Sequence, residues 1–206
     1  MADGTIAVNP TGATLLHTAQ RTIGGNTNNE EYQAIAESAL PTYTFSASAV
    51  SIATSGIHLI EVMASSAAVY VRVKSILITQ AGAVSGVSNF GLQIWRLTSA
   101  GTTPVSTPSP VRKDLGDPVS SSTSMIRPAV GGTESEMIWA ESIWLGTSGV
   151  PVANNRFEYP GQSPILTHKP IVIAQGATHG IAVKAPTGIA SGSVDITVVI
   201  IETTWP

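Results

Sequence analysis

The sequence predicts an all-β protein, a β-sandwich of the jelly-roll type preceded by an extended N-terminal arm. Three observations lead to this prediction. Short segments with period-2 alternation of apolar residues recur from Thr42 onward, Gly and Pro separate them, and no segment has the spacing of a long helix. Because the residues before Thr42 lack such alternation, we expect two parts, an arm at Met1–Pro41 and a sandwich domain at Thr42–Pro206.

Within the domain we expect eight to ten short strands, since that is the range typical of a jelly roll with its edge strands. The alternating or continuous apolar segments cover residues 43–50, 58–63, 68–79, 89–98, 125–130, 136–145, 171–174, 180–185 and 193–202.

The third of these strands changes its phase part-way along. Val71 and Val73 share one face, but after Ser75 the apolar residues are Ile76 and Ile78. Since side chains alternate strictly along a strand, a change of phase requires one extra residue. We therefore predict a β-bulge near Lys74–Ser75.

The last strand has apolar residues on both faces. The even-numbered positions from Val194 to Ile200 form one face, and Val199 and Ile201 add apolar side chains on the other. Coverage on both faces is typical of a strand inside a sheet, so we predict a central strand here.

A long excursion at residues 99–122 lies between the fourth and fifth predicted strands. It contains Pro104, Pro108, Pro110 and Pro118 among Ser and Thr residues. Proline cannot donate to a β-ladder, so a central strand is excluded. Excursions of this length are usually functional or contact a neighbouring molecule.

Composition limits the function. Of the 206 residues only 11% are charged, against about 25% in an average globular domain. Either Ser and Thr coat the surface, or an assembly covers much of it. The net charge is −3 and the basic residues are scattered, which argues against nucleic-acid binding. We also expect no membrane insertion, because the longest apolar run, residues 196–201, is far too short to span a bilayer. We expect no secretion signal, because the N-terminus has no basic region followed by an apolar run.

No catalytic signature is present, so we predict no enzyme, no cofactor and no metal ligand. Cysteine is absent, and the four histidines do not have metal-ligand spacing with one another or with carboxylates. We expect these histidines to be exposed or hydrogen-bonded. They are His17, His58, His168 and His179.

Three groups of residues leave alternatives open. Asp114 and Asp117 could hold calcium, but an ordinary turn is the preferred interpretation, because no alternating Asp/Asn run with a following Glu is present. A glycosidase pair among the acidic residues at 134, 136 and 141 would need a partner elsewhere, since one strand cannot flank a sugar. The tryptophans at 95, 139, 144 and 205 could stack on sugars or pack in the core or an interface, and we expect Trp205 to dock against its own sheet or a neighbouring subunit.

Two long segments resemble virion proteins of tailed bacteriophages. They are TIGGNTNNEEYQAIAESALPTYTFSASAVSIATSGIHLIEVM with the following VYVRVKSILITQ, and the closing GIAVKAPTGIASGSVDITVVIIE. In the resembling proteins a Gly-Gly arm leads through an acidic-Tyr segment and a Pro-x-Tyr step into a β-sandwich. The resemblance implies a non-enzymatic capsid decoration (cement) protein, made in the host cytoplasm and located on the capsid surface.

Such a protein would bind the major capsid protein and itself, with a homotrimer as the first expectation. The arm would order by lying across a neighbour, by backbone pairing at an exposed sheet edge. The capsid-binding candidates are its apolar anchors Leu15, Leu16, Ile23, Tyr32 and Ile35. Two other functions stay open: a tail, neck or vertex adaptor or fibre base, and a carbohydrate-binding module using exposed tryptophans and residues 99–122.

Overall fold

The structure, a computed structural model, describes residues 4–7, 15–23, 26–33, 40–86, 88–147, 156–159, 171–189 and 191–204. The chain divides into two compact units, Met1–Leu40 and Pro41–Pro206. Every regular element in these residues is a β-strand, which confirms the all-β prediction. Within them no helix is long and apolar enough to cross a bilayer.

The N-terminal unit forms an antiparallel three-stranded sheet. Its strands are β1 (Gly4–Ala7), β2 (Leu15–Ile23) and β3 (Asn26–Gln33), in the order β1-β2-β3. The polar cluster at 26–29 lies in β3, opposite residues 20–23 of β2. The sequence showed no apolar alternation here, and none is needed, because ladder hydrogen bonds join backbone groups whatever the side chains.

The second unit contains twelve strands among its described residues, more than the eight to ten predicted. They are β4 (Thr42–Ser51), β5 (Ile57–Met63), β6 (Tyr70–Gly82), β7 (Ser88–Leu97), β8 (Thr102–Ser106), β9 (Val111–Arg112), β10 (Thr123–Val130), β11 (Glu134–Leu145), β12 (Arg156–Tyr159), β13 (Ile171–Ile173), β14 (Gly180–Ala185) and β15 (Ser193–Thr203).

These strands form two antiparallel sheets. The first sheet has the order β12-β6-β15-β4-β9, with β13 also pairing to β6, and the second has the order β11-β7-β14-β5-β10-β8. Eight strands, four in each sheet, make up the basic sandwich when β8, β9, β10 and β13 are set aside. Along the chain they alternate between the sheets except at the step from β7 to β11, and this is the two-sheet winding of a jelly roll. The predicted fold class is confirmed, and the three strands beyond the nine predicted segments are β8 and β9 of the 99–122 excursion and β12, which pairs with β6 as β13 does.

The core lies between the two sheets. Its largest side chains, all fully buried, include Tyr43 and Phe45 of β4, Phe90 of β7 and Phe157 of β12. Strand β15 lies between β4 and β6, so the predicted central strand is confirmed.

The predicted bulge in β6 is also confirmed. Ile200 pairs with Val73 and Val199 pairs with Ser75, so Lys74 is the extra residue. Lys74 is exposed, while Val73 and Ile76 on either side of the bulge are both buried.

The excursion at residues 99–122, called the insertion below, borders both sheets. Strand β8 is the last strand of the second sheet and β9 is the last strand of the first. The prediction that this segment holds no central strand is confirmed. In β8, Pro104 lies opposite Pro128 of β10, so two residues without N–H donors face each other at the sheet edge.

Candidate interaction surface

The insertion displays apolar side chains to solvent. Four of the seven large hydrophobic residues that are exposed in the described part of the chain belong to it. Their exposed fractions are 72% for Val105, 66% for Val111, 89% for Leu115 and 81% for Val119. Single exposed apolar residues are ordinary, but several within one insertion of a weakly charged chain make it a candidate interaction surface. The sequence contained a signal for it, since these residues interrupt an otherwise Ser, Thr and Pro-rich segment.

The C-terminal end of the insertion is held by one carboxylate of the central strand. Glu202, near the end of β15, accepts hydrogen bonds from the Oγ atoms of Ser120 and Ser122, both at 2.6 Å. It also accepts backbone N–H bonds from Ser121 at 3.1 Å and Ser122 at 2.9 Å. The segment cannot move away without leaving a buried carboxylate unsatisfied, which is costly. No local pattern indicates this contact, because its partners are about eighty residues apart in the chain.

The insertion is also fixed to the start of β4, shortly before its C-terminal end. The Tyr43 hydroxyl donates to the carbonyl oxygen of Pro118 at 2.9 Å, and the Thr42 N–H donates to Oδ2 of Asp117 at 3.1 Å. Burial, together with the nearby charges of Glu202 and Asp117, raises the pKa of Tyr43 to about 12. Tyr43 therefore stays a neutral hydrogen-bond donor throughout the physiological range.

The Asp114–Asp117 segment, considered as a calcium site, forms a turn. Oδ1 of Asp114 accepts the Gly116 N–H at 2.9 Å, and the Asp117 N–H donates to the Asp114 carbonyl oxygen at 3.1 Å. Asp117 is turned towards Thr42 instead of sharing a site with Asp114. In the described ranges no group of three His, Cys, Asp or Glu side chains could hold a metal ion.

A second cluster of charges lies on the outer face of the second sheet. The buried His58 ring is bound by two carboxylates, with Nδ1 2.6 Å from Glu61 Oε1 and Nε2 2.8 Å from Glu134 Oε1. Lys184 Nζ binds the two carboxylate oxygens of Glu134 at 2.7 and 3.0 Å. With His58 protonated, two cations and two anions make this group, the His58 cluster, electrically neutral.

The His58 cluster fastens two loops to the sheet. Glu61 is fully buried, and its two oxygens accept the N–H groups of Gly101 at 2.7 Å and Gly132 at 2.8 Å. A Cβ at Gly132 would lie 2.2 Å from the carbonyl oxygen of Ser99, so only glycine fits this approach. Gly101 belongs to the insertion, so its N-terminal end is also held by a buried carboxylate.

The pKa values of this cluster are shifted in opposite directions. Burial lowers the pKa of His58, but hydrogen bonds to Glu61 and Glu134 outweigh it and raise the pKa above 6.5. Burial raises the pKa of Glu61, but hydrogen bonds from His58, Gly132 and Gly101 outweigh it and lower the pKa below 4.5. Glu134 is lowered as well, since the bonds from Lys184 and His58 outweigh its burial.

These shifts predict a pH dependence of stability. The raised His58 pKa contributes stability that is complete below pH 6.5 and is lost as pH rises through the folded-state pKa. The lowered Glu61 pKa contributes stability that is present above pH 4.5 and is lost as pH falls through its folded-state pKa. The contribution of the cluster should therefore be greatest between these two values, and the urea midpoint should fall from pH 6 to pH 9.

The matched variants are His58→Asn and His179→Asn, the second on an exposed turn. His58→Asn should flatten the alkaline decrease of the urea midpoint, and His179→Asn should leave it unchanged. An undiminished decrease in His58→Asn would show that the cluster does not cause it.

The acidic residues of β11, considered as a glycosidase pair, have different neighbours. Glu134 belongs to the His58 cluster, and Glu136 lies 3.5 Å from Arg96 Nε. Oε2 of Glu141 accepts the indole N–H of Trp139 at 3.4 Å.

Of the three tryptophans in the described residues, one packs against the core and two lie on the outer face of the second sheet. Trp139 packs edge-to-face on Tyr159, with ring centroids 5.7 Å apart, and contacts the core between the sheets. Trp95 lies on the outer face of the second sheet, where Lys184 Nζ is 5.5 Å from its ring centroid. Trp144 is 45% exposed. Trp205 and His168 lie outside the described residues.

The predicted arm anchors are placed by backbone position alone. Leu15, Leu16 and Ile23 lie in β2, and Tyr32 lies in β3 opposite His17. Ile35 lies outside the described residues. Their role in partner binding stays a prediction.

Comparison of the chain with protein-family models, with curated proteins and with solved structures finds no match in any of the three.

Proposed function

We propose that the chain is a non-enzymatic structural protein of a tailed-phage virion, a decoration protein that binds the major-capsid lattice. The main support is the insertion, which displays Val105, Val111, Leu115 and Val119 to solvent. An exposed apolar group of this kind is unfavourable for an isolated protein and is explained when a partner covers it.

The hydrogen bonds that hold the insertion in place suit a rigid binding surface better than a flexible loop that closes over a site. Buried carboxylates hold both of its ends, Glu61 at Gly101 and Glu202 at Ser120–Ser122. A surface that is already ordered loses little conformational entropy on association, so its apolar contacts contribute more to affinity.

Low charge and the resemblance of the sequence support the capsid lattice as the partner. With 11% charged residues, the surface suits burial against several neighbours. A homotrimer fits this role, since closed cyclic oligomers match the symmetric positions of a lattice. A tail, neck or vertex adaptor would use the same surface at a different place in the particle.

The first test is binding of the purified protein to assembled capsids of the encoding phage. Leu115→Asp and Val119→Asp, both at highly exposed positions, should each weaken binding at least ten-fold, because each places a charge in the apolar contact. The matched control is Thr178→Asp, which adds the same charge to an exposed turn between β13 and β14. Binding is measured by co-sedimentation, and melting temperatures check that all three variants are folded.

Two further results decide the remaining parts of the proposal. Removal of residues 1–41 should leave the sandwich folded and abolish binding, and full binding without them would refute the role of the arm. Cryo-electron microscopy should show density over the whole lattice, whereas density at one vertex or on the tail would favour the adaptor. Equal capsid binding by Leu115→Asp and Thr178→Asp would refute the role of the insertion.

A further inference from the structure

The outer face of the second sheet contains an open depression between β7 and β11. It has a volume of about 270 Å³ and is lined by Gly91, Leu92, Gln93, Ala140, Glu141, Ser142 and Pro186. The depression follows from the sequence, because Gly91, which has no side chain, pairs with Ser142, and the small Ala140 pairs with Gln93. Small residues at adjacent positions leave a gap that larger neighbours surround.

A tryptophan lies beyond each end of this depression. Trp144 is two residues past Ser142 on β11, and Trp95 is two residues past Gln93 on β7. Because the strands are antiparallel, these two steps lead in opposite directions. The pairs Asn89–Trp144 and Trp95–Met137 are thus about 20 Å apart at 3.4 Å per residue, longer than one sugar ring.

One polar group of the depression, the Gln93 amide, is oriented by an indole donor. Trp95 Nε1 donates to Oε1 of Gln93 at 2.9 Å, which directs the two N–H donors of the Gln93 amide to other partners. A small pocket with an exposed aromatic ring and a few fixed polar groups has the composition of a small-molecule site.

The charges on this face favour a neutral ligand. Lys184, next to the Trp95 ring, is already bound by the Glu134 carboxylate. Glu141 pairs with the core residue Leu92, so its side chain lies on the opposite face of the sheet and adds no charge beside Gln93 and Ser142. A neutral pyranose has C–H faces that stack on an aromatic ring and hydroxyl groups that both donate and accept hydrogen bonds.

We propose that this face binds a neutral oligosaccharide. One pyranose ring occupies the depression above Gly91, hydrogen-bonded by Gln93 and Ser142, and the next ring stacks on Trp144. At about 270 Å³ the depression lies just below the usual range for small-molecule pockets, roughly 300–1,000 Å³, so it holds one ring of a longer chain. The site shares no residue with the insertion and does not depend on capsid binding.

The test uses the full-length protein on a printed array of neutral and acidic oligosaccharides, followed by tryptophan-fluorescence titration with the strongest ligand. At least one neutral oligosaccharide should bind, and Trp144→Ala should weaken its binding at least ten-fold. Gly91→Val should do the same by filling the depression. A Cβ at Gly91 lies 3.4 Å from Pro186 Cγ, an ordinary contact, and valine suits a strand, so this variant should fold.

The matched control is Leu115→Ala, an exposed apolar residue of the insertion, which should bind the oligosaccharide like the unaltered protein. The proposal is overturned if the array shows no neutral ligand, if only acidic glycans bind, or if both site variants retain full affinity. Loss of capsid binding by Trp144→Ala without any sugar binding would also overturn it and would assign this face to protein contacts.

Discussion

Replacing Glu61 by alanine should destabilise the protein by about 3–5 kcal/mol, the usual cost of removing one partner from a buried ion pair. Glu61 is fully buried and accepts hydrogen bonds from His58, Gly101 and Gly132. Its loss leaves two buried N–H groups without an acceptor and the protonated His58 without one of its two carboxylates. At about 2–4 °C per kcal/mol for a chain of this size, the melting temperature should fall by on the order of 10 °C.

The matched control is Glu136→Ala, a glutamate 73% exposed and 3.5 Å from Arg96, whose removal should cost less than about 1 kcal/mol. A double-mutant cycle separates the ion pair from the loss of packing. His58→Ala combined with Glu61→Ala should cost less than the two single losses added together, because fewer buried charges are left unpaired. Urea unfolding measures all four variants, and equal costs for Glu61→Ala and Glu136→Ala would contradict a structural role for the buried pair.

Much of the sandwich could be predicted from local patterns, because its strands are half-buried and alternate. The bulge at Lys74 was predicted since the apolar pattern changes phase there, and the central position of β15 was predicted since both of its faces are apolar. Strand β11 had apolar residues on both parities, and the structure explains why: its register against β7 shifts twice between Glu134 and Trp139. Tertiary pairing alone created β8 and β9, which lie in a Pro-rich segment without a strand pattern.

The His58 cluster could not be predicted, and the reason is geometric. On a regular strand, residues three apart such as His58 and Glu61 point to opposite faces. Between Val183 and Lys184 the register of β14 on β5 shifts, because Val183 pairs with Ile60 and Lys184 with His58. Leu59 is the extra residue, so His58 and Glu61 lie on one face. In β5 every residue from 58 to 63 is buried, so no change of phase in the sequence reveals the bulge.

The two buried carboxylates have complementary roles in presenting the insertion. Glu61 holds Gly101 near its first residue, and Glu202 holds Ser120–Ser122 at its last. Between these points β8 and β9 occupy the edges of the two sheets, where unpaired strand edges would otherwise invite aggregation. The insertion thus supplies one edge strand of each sheet and displays its apolar side chains to solvent.

Replacing Glu202 by alanine should release the C-terminal end of the insertion before the sandwich unfolds. Three consecutive serines lose their acceptor, since hydrogen bonds from Ser120–Ser122 all end on this carboxylate. A loss of about 2–4 kcal/mol is expected, because bonds to a charged acceptor are worth about 1.5–3 kcal/mol each and are not additive. The loss of stability against local opening of the insertion should be larger than this loss of global stability. The reason is that β9 pairs with β4 through only two residues, Val111 and Arg112.

Limited trypsin digestion measures this opening directly, because Arg112 and Lys113 place two cleavage sites inside the insertion. Glu202→Ala should be cut there at least ten times faster than the unaltered protein, under conditions in which the sandwich stays intact. Glu202→Gln, which keeps one acceptor oxygen, should fall between the two. If cleavage instead spreads over the whole chain, Glu202 stabilises the sandwich as a whole, and the exposed apolar residues are not held in place by it. Cleavage confined to residues 112 and 113, with a parallel loss of capsid binding, would link the buried carboxylate to the interaction surface it supports.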